Sequence, residues 1–252
     1  MTGVRKPSPL EAFETNMRDA HHLVRLAEGL TNSRARKMRK ELRDRVGAAW
    51  RVPLKHRDQL DCLESADVYL VFKPVSRLAR ADFLDHRPLL RQALVAACAA
   101  TETYLADRAM SQVAGLTSSA DAASDRLKKI PMTVGDWLDI EVYEYRRRGL
   151  HEKVIRPYFA EFASVDPSKV GALLSLLGVK DWQKQLDGQR GVNPGDTRVA
   201  LDRIAKRRNR IVHTGDRVSQ SSRNRATLSI AEVRCDLDVM ESLVAAVEKV
   251  LA

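Results

Sequence analysis

A chain of 252 residues is long enough for one large or two small domains with a real core. Its 43 basic and 33 acidic side chains leave a net charge of +10, which points to a polyanionic partner, RNA or DNA before a membrane surface. Cys62, Cys98 and Cys235 are scattered, odd in number and never in a CxxC pair, which argues against a disulfide framework or a cysteine zinc site and fits a reducing cytoplasm.

Residues 1–7 read as a frayed tail without a signal-type apolar region, and Ser8-Pro9-Leu10-Glu11 as a capping box with proline at the first helical position. Leu10, Phe13, Met17, Ala20, Val24, Ala27 and Leu30 keep 3-4 spacing, which predicts a helix over 9–30. A second helix is expected from Arg34 to Ala49, with Ala35, Met38, Leu42 and Val46 inward. Its other faces carry Arg34, Arg36, Lys37, Arg39, Lys40, Arg43 and Arg45 against only Glu41 and Asp44, read either as a phosphate-tracking surface that binds RNA or as an ordinary solvated face. Val68–Lys73 is short, apolar and β-branched, and reads as a short strand or a buried helix segment. A domain boundary is placed between Pro74 and Pro88.

A long helix is expected over 88–113, with Leu90, Leu94, Ala97, Thr101, Tyr104 and Leu105 buried and Glu102 and Asp107 as its acidic groups. Residues 117–125 read as a loop, and helices are expected over 135–147, 150–163 and 168–177. The stretch 178–196, with five glycines or prolines, reads mostly as loop around Trp182. After Asn193-Pro194-Gly195 a helix starts near Asp196 and ends on Gly215 as its C′ glycine. A polar loop follows over 214–228. Ser229-Ile230-Ala231-Glu232 is a second capping box, opening a periodic helix through Ile230, Val233, Leu237, Met240, Val244, Val247 and Leu251. The longest apolar run, residues 93–100, is far too short to span a bilayer, so no membrane association is expected.

The segment that carries chemistry is Arg208-Asn209-Arg210-Ile211-Val212-His213. Asn209 and His213, four apart, share one helical face, with Arg208 about 100° round from Asn209. Leu201, Ile204, Arg208 and Ile211 follow 3-4-3 spacing, so Arg208 occupies an apolar stripe where a leucine would be expected. An arginine there needs a partner, a pocket or an interface. The alternative is a solvated basic helix end with His213 as a C-terminal cap, favoured by the macrodipole. No P-loop, G-x-G-x-x-G, G-x-S-x-G or H-E-x-x-H motif is present, and the other histidines lack partners at metal-ligand spacing, so neither metal nor cofactor is expected. Arg223-Asn224-Arg225 repeats the start of the motif, but Leu228 stands where a histidine would be needed.

Arg208-Asn209-(x3)-His213 resembles the signature of the HEPN superfamily: an arginine, usually followed by asparagine or another polar residue, and a histidine four to six positions after the arginine. Leu176-Leu177-Gly178, Asp181-Trp182, Leu201-Asp202-Arg203-Ile204, the run from Arg207 to Asp216 and the capped helix from Ser229 are similar to the RiboL-PSP-type HEPN branch. The resemblance covers residues 85–252, is sharp over 176–216 and leaves residues 1–80 uncovered. It implies a helical bundle, homodimerisation, metal-independent endoribonuclease activity and a place in prokaryotic phage defence or a toxin-type system, with an antitoxin or regulatory partner. Some members of the superfamily have lost the chemistry and only bind RNA or partners. The resemblance also implies an acidic or polar group on the first bundle helix, for which Glu102 is the best match.

The chemistry fits RNA, which carries its own nucleophile in the 2′-OH. His213 suits proton transfer, Arg208 the charge of the developing phosphorane, and Asn209 the orientation of His213 or a bond to phosphate. The expected fold is predominantly all-α, with a helical bundle over 85–252 and a small, mostly helical domain over 1–80 with room for one short strand.

Overall fold

The computed structural model describes residues 7–31, 36–37, 39–59, 62–63, 85–116, 125, 127–143, 145–219, 221–222 and 224–252. Among them the fold is predominantly helical. Helix α1 spans Pro9–Thr31, α2 Lys40–Ala49, α3 Arg87–Leu116, and α4 Val134–Glu141. Helix α5, Arg146–Leu150, runs through a π-helical turn, His151–Ile155, into α6, Arg156–Ala160. Pro157, one residue into α6, has no N–H with which to continue the α-helical ladder, which accounts for the wider turn before it. Helices α7, Pro167–Leu176, α8, Trp182–Arg190, α9, Asp196–Thr214, and α10, Ile230–Val250, complete the order. Strands β1, Arg36–Lys37, and β2, Cys62–Leu63, pair antiparallel.

The centre of the molecule is α3. Leu90, Leu94, Ala97, Thr101, Tyr104 and Leu105 are buried as the periodicity requires, and Ala93, Ala100 and Ala109 extend burial round the helix. Those alanines let α1 approach closely with its own Ala20 and Ala27, and α1 and α3 form the most extensive helix pair among the described residues. Phe13 lies 5.7 Å from the ring of Tyr104, whose hydroxyl donates to Glu248 of α10 at 2.8 Å. Burial, reinforced by that carboxylate, pushes the Tyr104 phenol far above its ordinary value. His21 pairs with Glu241 at 2.7 Å and Arg234 with Glu28 at 2.6 Å, tying α1 to α10. Both capping boxes read from sequence are formed, at Ser8–Glu11 and at Ser229–Glu232.

Four expectations need correction. The division near residue 80 does not describe α1, because Phe13, Met17, Ala20, Val24 and Ala27 belong to the same core as α3 and α10. The second helix begins at Lys40, not Arg34. Arg36 and Lys37 lie in β1, and Arg39 is the extended N-cap of α2. Pairing of Arg36–Lys37 with Cys62–Leu63 takes the backbone groups that an earlier helix start would need. The stretch 178–196 contains α8, since Gly178, Gly191, Pro194 and Gly195 flank that helix and Gly188 alone sits inside it. The helix expected over 135–147 stops at Glu141 and restarts at Arg146. Val68–Lys73, Arg34 and most of 117–125 lie outside the described residues.

Candidate functional site

Helix α9 is fixed at both ends. Its first turn is capped from α8. The buried Asp187 carboxylate accepts from the Gly195 N–H at 2.7 Å and the Thr197 N–H at 3.0 Å, while Arg190 bonds the Thr197 hydroxyl at 2.8 Å and Ser242 of α10 at 3.0 Å. Burial raises the Asp187 carboxyl, but the bonds from Thr197 and Gly195 outweigh it and hold the group below the usual carboxylate range.

At the far end Gly215 takes the left-handed conformation, φ +61°, and its N–H returns to the Ile211 carbonyl at 3.1 Å, the C′ role read from sequence. Asp216 is also left-handed, φ +63°, and its N–H reaches the Arg210 carbonyl at 3.0 Å. Its carboxylate, fully buried, accepts from Arg91 Nε at 2.9 Å, Arg207 Nη2 at 2.8 Å and Arg210 Nε at 3.0 Å. Arg91 and Arg207 also bond the carbonyls of Ala226 and Thr227, and the Ala226 N–H donates to the Asp216 carbonyl. One carboxylate thus ties α3, the end of α9 and the loop before α10 together. Sequence reasoning missed this cluster, and the signal was slight: an aspartate after a C′ glycine and arginines far apart in the chain.

Between these anchors the stripe behaves as read. Leu201 and Ile204 are fully buried, and Arg208 follows on the same side. Arg208 Nη2 donates to Glu102 of α3 at 3.0 Å, and Nη1 to the Asn209 side-chain Oδ1 at 3.1 Å. The Arg208 and Glu102 side chains are 29% and 16% exposed, so this ion pair sits half sheltered between two helices with one edge open. Arg208 Nε is buried and finds no hydrogen-bond partner among the described residues. Glu102 and Arg208 are 106 positions apart, and the fold brings them together.

His213 is exposed in the last turn of α9, and Asn209 is exposed one turn before it. Helical geometry places His213 about 140° round the axis from Arg208. Within one chain, then, Arg208, Asn209 and Glu102 form a bonded set, and the exposed His213 shares the Asn209 face of α9, round the axis from Arg208. Around the set lie two further groups. Burial pushes the Cys98 thiol far up, and pushes the Asp236 carboxyl up against the opposing pull of Arg203.

Lys40 and Arg43 lie on α2, which packs chiefly on the 3-10 turn Leu54–Gln59. Among the described residues no three His, Cys, Asp or Glu side chains converge as a metal site, and no helix is long and apolar enough to cross a membrane. A cleft of about 1000 Å³ opens between α7, α8 and the first half of α9. Sequence reasoning missed it because its Trp182 was assigned to a loop. No protein-family model, no curated protein and no solved structure matches the chain, so the HEPN resemblance stands on the motif residues themselves.

Proposed function

We propose that the chain is a metal-independent endoribonuclease that cleaves RNA by 2′-OH transesterification, acting as a homodimer in a prokaryotic defence or toxin-type system of the cytoplasm. The observation that carries the reading is Arg208, a permanent cation on an otherwise apolar stripe, oriented by Glu102 and Asn209 beside an exposed histidine. His213 takes the proton from the 2′-OH as that oxygen attacks the phosphorus. Arg208 balances the charge gathering on the phosphoryl oxygens, and Glu102 keeps the guanidinium in place without itself moving a proton. The P–O5′ bond breaks, the leaving 5′-oxygen takes a proton, and a 2′,3′-cyclic phosphate and a 5′-hydroxyl result.

Two proton transfers call for two groups. The divergence of His213 from Arg208 on one helix favours a site shared by two copies of α9, with His213 of the partner subunit serving the leaving oxygen. That same divergence is what favours the second reading, a non-catalytic RNA- or partner-binding module in which His213 is only a helix-end cation. Purified protein incubated in excess chelator with RNA and with DNA of the same sequence separates them. The first reading requires RNA cut and DNA intact, and the second requires both intact.

A further inference from the structure

The cleft beside α9 has the makings of a nucleotide subsite. It is lined by Trp182, Gly171, Ser175, Arg198, Asp202 and Asp166, among others. Along α9, Arg198, Asp202, Lys206, Asn209 and His213 follow 4-4-3-4 spacing, which keeps them within about 80° of one another on one face. All but the half-buried Asp202 are exposed. The cleft wall and His213 are therefore two ends of one solvent-facing stripe about 22 Å long, the length of about six stacked nucleotides.

We propose that this cleft holds an unstacked base of a single-stranded RNA lying along the stripe, with the base resting on the Trp182 indole and the adjoining phosphate on Arg198. The inference rests on the ribonuclease reading of α9. The indole is set by its surroundings: a Cβ at Gly171 would run into Trp182 Nε1, so only glycine lets the ring lie where it does. The ring remains partly exposed at the cleft wall. Arg198 makes no ion pair or hydrogen bond with any described residue, which leaves its guanidinium for a ligand.

The two carboxylates decide which part of a nucleotide enters. Asp166, the N-cap of α7, takes the Ser168 N–H and hydroxyl on its Oδ1, and on α9 one oxygen of Asp202 is taken by Lys206 at 2.7 Å. The other Asp202 oxygen repels phosphate but accepts from an exocyclic amine. The pocket therefore favours cytosine, adenine or guanine over uracil, which has no such amine.

The test uses the full chain carrying His213→Ala, so that binding is read without cleavage, and fluorescence anisotropy with single-stranded oligocytidine and oligouridine long enough to span the stripe. Losing one base stack is worth about 1–3 kcal/mol, a loss of about 5- to 150-fold in affinity. Adding Trp182→Ala should weaken oligocytidine binding by at least about 5-fold on that scale, while Trp182→Phe, which keeps an aromatic face and most of the volume, retains it. Arg198→Ala, an exposed position that leaves packing intact, should weaken both oligomers and lower the salt dependence. Asp202→Asn should erase the preference for oligocytidine. Undiminished oligocytidine binding by the Trp182→Ala and Arg198→Ala chains, or equal binding of the two oligomers to the His213→Ala chain, overturns the subsite while RNA cleavage by the unaltered chain stands. If no oligomer binds and the unaltered chain cuts no RNA, subsite and ribonuclease fall together.

Discussion

Replacing Asp216 with Asn removes one charge and almost no volume from the point where α3, the end of α9 and the following loop are joined. Asparagine tolerates the left-handed φ of +63° as well as aspartate does, so backbone strain is unchanged and the effect isolates the carboxylate charge. Three guanidinium groups lose their common anion. Arg210, 41% exposed, recovers its hydration at little cost, but Arg91, at 6%, cannot reach water. Removing one partner of a buried ion pair costs about 3–5 kcal/mol. The Asn carbonyl still accepts one bond, so the lower figure, about 3 kcal/mol, is expected. For a chain of this size that is about 6–12 °C in Tm, with the urea m-value unchanged. Urea titration and thermal melting followed by circular dichroism measure both. A loss below about 1 kcal/mol, the value of an exposed pair, would refute the claim that Asp216 anchors the end of α9.

His213→Ala and Arg208→Ala should each lower RNA cleavage by about 10²–10⁴-fold while the helical circular dichroism signal persists, the range expected for loss of a general base or of a transition-state cation. Asp187 gives a pH prediction. Its folded value lies below its ordinary 3.8, so its contribution is complete above 3.8 and is lost as pH falls through the folded value. Urea midpoints of the Asp187→Asn chain should accordingly decline less steeply in that acid range than those of the unaltered chain, and parallel slopes would remove Asp187 from the capping role. Light scattering should give about twice the 28.3 kDa chain mass. Excess His213→Ala chains mixed with unaltered ones should lower the activity per unaltered chain, and a fully active monomer would rule out a shared site.

The helices with long apolar periodicity were legible from residues alone. Phe13, Met17, Ala20, Val24 and Ala27 are all buried, as are Val233, Leu237, Met240, Val244 and Val247. Local chemistry carried the caps at Ser8, Ser229 and Gly215 equally well. What failed was whatever depended on distant partners. The strand pairing of Arg36–Lys37 is decided by Cys62–Leu63, and the assignment of α1 to a separate domain ignored the alanines of α3 that receive it. Helix α8 was hidden by glycines at its borders and by Asp181, which enters it in a left-handed conformation, φ +48°, with no side-chain cap to announce it. In the site, Arg208 on an apolar stripe foretold a partner, and the fold supplies Glu102. The Asp216 cluster was not legible, since Arg91 is 125 positions from the carboxylate it meets.

End-group analysis of RNA cut in excess chelator, with the unaltered and His213→Ala chains run side by side, decides whether the chain cleaves RNA by 2′-OH transesterification through His213. The unaltered chain should leave 2′,3′-cyclic phosphate or 3′-phosphate ends paired with 5′-hydroxyls, and the His213→Ala chain almost none. Fragments ending in 3′-hydroxyl and 5′-phosphate, or equal cutting by the two chains, would contradict that mechanism.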